Sequence, residues 1–124
     1  MTTVEDRNRE RTRRWESLWN DDAMAMVDEC YAPHCEVRDM IRGFTLRGRE
    51  ELRTVEKQIL AADDTRRMTI TKLVASGDTV AAEMEAFWRD ATISITACVV
   101  LTFDADGLIV SDHTYSADPL GAVS

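Results

Sequence analysis

Along the first 31 residues the apolar positions recur at helical spacing. Between residues 5 and 19, Trp15, Leu18 and Trp19 fall at i, i+3, i+4 within an otherwise charged run, which predicts an amphipathic helix with a narrow buried stripe. Asn20-Asp21-Asp22 interrupts this run and offers an N-cap. A second short helix over 22–31 follows, burying Ala23, Met26, Val27 and Cys30. Pro33 marks its stop. The period then changes from 3.6 to 2: residues 35–41 (CEVRDMI) place Val37, Asp39 and Ile41 on one face and Glu36, Arg38 and Met40 on the other. Gly43 and Gly48 bracket a short extended piece, Phe44-Thr45-Leu46, and a third helix over 49–62 carries the stripe Leu52, Val55, Ile59 and Leu60. Strands are expected at 66–75, 79–89 and 92–103, separated by Ser76-Gly77-Asp78 and Arg89-Asp90. Asp104-Ala105-Asp106-Gly107 reads as a hairpin loop. The last strand starts apolar at Leu108-Ile109-Val110 and turns polar, with Asp112, His113, Thr114, Tyr115, Ser116 and Asp118.

Helices segregated from four consecutive strands indicate an α+β domain, a mostly antiparallel sheet covered on one face by three helices. Twist in such a sheet gives a half-barrel. The helices would close it into a cone with an internal pocket and one open end. Residues 1–124 read as a single domain, without repeat or linker.

A formal net charge of −8 argues against nucleic acid and against anionic membranes as partners. The basic cluster Arg7, Arg9, Arg11, Arg13 and Arg14 is interleaved with Glu5, Asp6 and Glu10, as on a solvated helix face. No apolar run is long enough to span a bilayer and the first residues lack a signal peptide's hydrophobic region, so a cytoplasmic location is expected. Three cysteines, Cys30, Cys35 and Cys98, make no disulfide framework. The Cys30, His34, Cys35 cluster lacks a fourth ligand, and neither metal nor cofactor is expected.

The chemistry concentrates on a few carboxylates. Asp39 shares its face with Val37 and Ile41, where burial disfavours the ionised form and raises the pKa toward the range of a proton-transfer base; the bland alternative is a strand-end aspartate paired with Arg38, Arg42 or a backbone N–H. On the last strand, Asp112, Thr114, Ser116 and Asp118 alternate onto one face and His113 and Tyr115 onto the other. Only one face can line a pocket, and the even-numbered one is favoured. His113 remains a candidate proton shuttle. Trp15, Trp19, Phe44, Met84, Phe87 and Trp88 are expected as apolar walls, with Trp88 able to stack on a flat ligand. Glu83 and Glu85 should point outward.

The steps Trp15-x-x-Leu18-x-Asn20, Tyr31-Ala32-Pro33-His34-Cys35, Leu46-Arg47-Gly48-Arg49-Glu50, Phe103-Asp104-x-Asp106-Gly107-Leu108-Ile109 and the ending Asp112-His113…Asp118-Pro119 resemble the nuclear-transport-factor-2-like superfamily, in its SnoaL-like polyketide cyclase and ketosteroid isomerase branches. The resemblance spans roughly Arg13 to Pro119. It implies a cystatin-like cone with a deep apolar pocket and a homodimer formed through the sheet's outer face. It places Asp39 at the isomerases' proton-shuttling carboxylate, Trp15 at their oxyanion-hole tyrosine and Val99 at their second oxyanion-hole acid, so both oxyanion donors are lost and steroid isomerase activity is not expected. On the cyclase side it matches Asp118 to the base and His113 to the nearby histidine. The implied function is cofactor-independent proton transfer, as in isomerisation, aldol-type cyclisation or dehydration, on an apolar carbonyl compound. A non-catalytic ligand-binding or dimerisation module is the competing reading. An epoxide hydrolase of this fold ranks last, because it needs an Asp-Arg-Asp constellation and Arg89-Asp90 are adjacent.

Overall fold

The computed structural model describes residues 2–117. Helix α1 (Val4–Asp21) opens on a capping box: Asp6 N–H donates to the Thr3 hydroxyl, and Asp6 accepts in return from Thr3 N–H. Asp22 then caps α2 (Ala23–Cys30), accepting from Ala25 N–H at 3.1 Å, as the Asn-Asp-Asp break predicts. Strand β1 (Tyr31–Asp39) begins at the residue after α2, four positions ahead of the expected alternation. Pro33 therefore sits inside a strand. It is tolerated because the pairing of β1 with its neighbour is irregular between Tyr31 and Glu36, so no ladder bond is lost there. After β2 (Phe44–Arg47) come α3 (Gly48–Ala62), β3 (Arg67–Ser76), β4 (Thr79–Trp88), β5 (Ile93–Phe103) and β6 (Ile109–Ser116).

The strands form one curved sheet in the order β2-β1-β6-β5-β4-β3. All neighbours are antiparallel except β1 and β6, which run parallel because the rest of the chain lies between them. Helix α1 lies over β3 and β4, α3 lies over β1 and β2, and α2 is wedged between the two helices. Between helices and sheet sits the core: Trp15, Met26 and Val27 from the helices, and Val80, Val99 and Leu101 from the strands. Strict alternation keeps Glu83 and Glu85 exposed on the opposite face, as expected. The same rule corrects one wall. Phe87 pairs across to Arg67 and Ser94 and falls on the outer face, while Met84 and Trp88 point inward.

Two turns fix the ends of the sheet. The β5–β6 hairpin has Gly107 at φ +80°, with α1 packed against it, and Arg7 donates to the carbonyls of Asp104 and Ala105 at 3.0 and 2.6 Å. The β4–β5 turn is strained: Arg89, Asp90 and Ala91 all take positive φ, at 49°, 57° and 64°. Asp63 supports it by accepting from Arg89 N–H at 2.6 Å, and Thr65 accepts from Asp90 N–H at 2.8 Å. The Thr65 hydroxyl and the backbone N–H groups of Arg89 and Thr65 hold the Asp63 pKa below its usual range. Among the described residues, no helix is long and apolar enough to cross a membrane.

Candidate active site

The concave face of the sheet and the helices above it enclose a cavity of about 380 Å³. Trp15 and Trp19 enter from α1, Leu52, Val55 and Ile59 from α3, and Met84, Trp88 and Val99 from β4 and β5. Its lining is mostly apolar, as small-molecule sites commonly are. Phe44, 44% exposed, stands at the rim beside Asp39 and Arg42.

At the inner end lies a buried polar chain. Asp112, 3% exposed, accepts from the Tyr31 hydroxyl at 2.7 Å on Oδ2 and from the Thr114 hydroxyl at 2.7 Å on Oδ1. Tyr31 in turn accepts from the Trp15 indole N–H at 3.1 Å. The parallel register of β1 and β6 brings residues 31 and 112 together. Burial is the main cause that raises the Asp112 pKa, with the nearby Glu56 charge adding to it; the two hydroxyls pull the other way without cancelling it. Tyr31 is held well above its usual pKa by burial and by Asp112, so its proton stays in place as a donor.

A second polar cluster lines another wall. Glu56 and Arg66, both buried, meet at 2.7 Å, and the Arg66 guanidinium carbon lies 3.8 Å from the centre of the Trp19 ring. Trp19 meets Trp88 edge to face, with centroids 6.2 Å apart. Burial raises the Glu56 pKa, opposed by Arg66.

Asp39 also reaches the cavity and is 7% exposed, but its surroundings differ from the expected ones. Strand β1 ends at Asp39, the chain turns, and Ile41 is 63% exposed instead of flanking the carboxylate. One Asp39 oxygen accepts from the N–H groups of Ile41 and Arg42 at 3.1 and 2.7 Å, and the other pairs with the Arg42 guanidinium at 2.5 Å. This is the paired strand-end aspartate that was the bland alternative. Its lone pairs are engaged in shaping the turn.

The remaining candidates divide by strand parity. Thr114 and Ser116 line the cavity with Asp112. His113 does not: it alternates onto the other face of β6, opposite Arg38 and Val100, as the parity predicts, and as a candidate proton shuttle it does not reach the cavity. Asp118 lies outside the described residues. Arg89 and Asp90, considered for a hydrolase, sit exposed in the strained turn.

Tyr31, Glu56 and Arg66 escape the sequence reading as site residues, and Arg42 appears in it only as a partner for Asp39. For Glu56 a signal existed, since it completes the i, i+4 stripe with Leu52 while Leu60 does not line the cavity. Arg66 likewise shares the even parity of Met68 and Ile70. Sequence periodicity places Tyr31 at the end of a helix, and nothing local marks its partnership with Asp112. Among the described residues, no group of three or more His, Cys, Asp or Glu is arranged to hold a metal ion.

No curated protein matches the chain. Several solved structures share its architecture. A candidate ketosteroid isomerase from Kribbella flavida superposes with a TM-score of 0.81 at 16% identity, covering 94% of this chain and 82% of its own. A candidate SnoaL-like polyketide cyclase from Jannaschia gives 0.81 at 14% identity over 99% and 92% of the two chains. An epoxide hydrolase from M. tuberculosis gives 0.78 at 15% identity over 96% and 90%. At such identities the likeness is one of fold, and the reactions of these neighbours differ from one another. The sequence is more specific than the superpositions: residues 12–112 match the SnoaL-like domain model, and the chain belongs to that family, within the nuclear-transport-factor-2-like superfamily.

Proposed function

We propose that the cavity carries out proton transfer on an apolar carbonyl compound, by isomerisation, aldol-type cyclisation or dehydration, without a cofactor. Asp112 is the carboxyl group that gives and takes the proton. The observation that carries this reading is a buried aspartate between two hydroxyl donors, with its pKa raised, in a cavity otherwise walled by apolar side chains. A carboxyl group in such surroundings is matched to general acid–base work nearer neutrality than an exposed aspartate. Trp15 orients the Tyr31 hydroxyl, which donates to Asp112 and leaves the outer lone pairs of the carboxylate for a substrate proton. Asp39, fixed by Arg42 and two backbone N–H groups, shapes the rim and is the less suited base. A homodimer and a cytoplasmic location belong to the same proposal.

The test is loss of the α-proton signal of methyl 2-naphthyl ketone and a panel of related aryl and alicyclic ketones in D₂O, followed by proton NMR. Wild-type protein should accelerate exchange for at least one member. Asp112→Asn should slow it by ~10² to 10⁴, the usual worth of general acid–base catalysis. Exchange that never exceeds the buffer rate, or that survives Asp112→Asn intact, favours the competing reading of a ligand-binding module. At Asp112 itself the hydrolase arrangement is not met, because the partners of that carboxylate are the Tyr31 and Thr114 hydroxyls.

A further inference from the structure

Every polar group in the Asp112 chain has a partner, but the Trp19 wall does not share that property. Arg66 Nη2 lies 2.7 Å from Glu56 Oε2, yet its N–H bonds are not directed at that oxygen. Arg66 Nε, Arg66 Nη2 and the Trp88 indole N–H, and Glu56 Oε2 beside them, are buried without an aligned hydrogen bond among the described residues. Arg66 is 3% and Trp88 8% exposed, and both line the cavity. Buried donors left unpaired carry their full desolvation cost, so such a cluster needs an explanation. Both groups border one ring: the Arg66 guanidinium lies 3.8 Å from the centre of Trp19, and Trp88 meets that ring edge to face at 6.2 Å.

We propose that Arg66 and Trp88 form a subsite on the Trp19 wall that takes a ligand carboxylate, so that the molecule bound in the cone is an apolar oxo acid. The carbonyl end rests on the function proposed above; the carboxylate end rests on the unpaired donors alone. A neutral acceptor would satisfy the indole N–H, but the guanidinium is permanently charged and offers a planar set of donors suited to a carboxylate. Glu56 lies beside the guanidinium but leaves Nε and Nη2 without a directed hydrogen bond. A ligand carboxylate would supply the aligned acceptors that Glu56 does not. Stacking on Trp19 holds the guanidinium in place, so little ordering is left to the ligand.

The experiment is calorimetric titration with 2-naphthoate and its neutral isostere 2-naphthamide at about pH 8, where the probe acid is ionised. Wild-type protein should prefer the carboxylate by about tenfold or more, the range of a charge-assisted hydrogen bond. Trp88→Phe keeps an aromatic ring against Trp19 but removes the N–H together with part of the ring surface; naphthamide reports the lost surface, and naphthoate should weaken several-fold more than naphthamide does. The double variant Glu56→Gln/Arg66→Gln keeps a neutral pair of similar shape and should bring the two probes to parity. No naphthoate binding, a wild-type ratio within about twofold, or a preference untouched by Trp88→Phe would overturn the proposal. No turnover is involved, so this result stands apart from proton exchange at Asp112, and either can fail without the other.

Discussion

Tyr31→Phe probes the polar chain at the inner end of the cavity, because one oxygen atom there serves two buried partners. The Tyr31 hydroxyl accepts from Trp15 Nε1 at 3.1 Å and donates to Asp112 Oδ2 at 2.7 Å. Its removal strands the indole N–H of Trp15, itself 4% exposed, at a cost of about 1–3 kcal/mol. It also takes one of the two hydroxyl donors from Asp112. That bond is worth about 1.5–3 kcal/mol to an ionised carboxylate and about 1 kcal/mol to a neutral carboxyl. The Phe ring is easier to bury than the phenol, which offsets about 1 kcal/mol. The net loss should be about 1.5–5 kcal/mol where Asp112 is ionised and about 1–3 kcal/mol where it is protonated. The pH trend is the sharper signature. Tyr31 lowers the Asp112 pKa against the pull of burial, so deleting it raises that pKa further and the penalty must grow toward high pH. Urea melts at a series of pH values from about 4 to about 9, followed by tryptophan fluorescence, trace the penalty through the Asp112 titration. A penalty constant across the series, or larger in acid, would refute the argument that Tyr31 supports an ionised Asp112. In the exchange assay the same variant should shift the acid limb of the pH–rate profile upward.

Further outcomes follow from the same geometry. Asp112 and Glu56 both have folded pKa values above their unfolded ones, so the folded state holds its protons longer and stability falls as pH rises through that interval. Asp112→Asn should flatten that decline, and unfolding free energies that run parallel to wild type from about pH 4 upward would contradict it. Asp39→Asn keeps an oxygen for the N–H groups of Ile41 and Arg42 but breaks a partly exposed ion pair, so it should cost about 1 kcal/mol in chemical melts and leave proton exchange within twofold. A drop of a hundredfold in exchange would return Asp39 to the role of base. On the outer face of the sheet, Val74 is 53% and Tyr115 40% exposed, and the expected dimer pairs through this face. Sedimentation equilibrium should therefore give twice the 14.0 kDa chain mass, and Tyr115→Lys should shift it toward monomer.

The sequence by itself settled which residues share a face. The helical stripe of Trp15, Leu18 and Trp19, the two-residue alternation of Met84, Ala86 and Trp88, and the Gly107 hairpin are local patterns, and local backbone geometry carries them into the fold unchanged. The same alternation put Asp112, Thr114 and Ser116 on one side of their strand, the side that lines the cavity. What periodicity does not encode is where a strand stops and which distant groups meet. Ile41 continues the alternation of Val37 and Asp39 on paper, but the chain turns after Asp39, and the residue goes to solvent while Arg42 folds back onto the carboxylate. Tyr31 and Asp112 are 81 positions apart and meet only because β1 and β6 pair in parallel, an arrangement no local signal specifies. Glu56 and Arg66 look like surface charges in a chain that is 31% charged. Only the packing of α3 and the start of β3 over Trp19 turns them into a buried pair on a cavity wall, since burial is a property of what lies opposite and not of the residue's own neighbours in the chain.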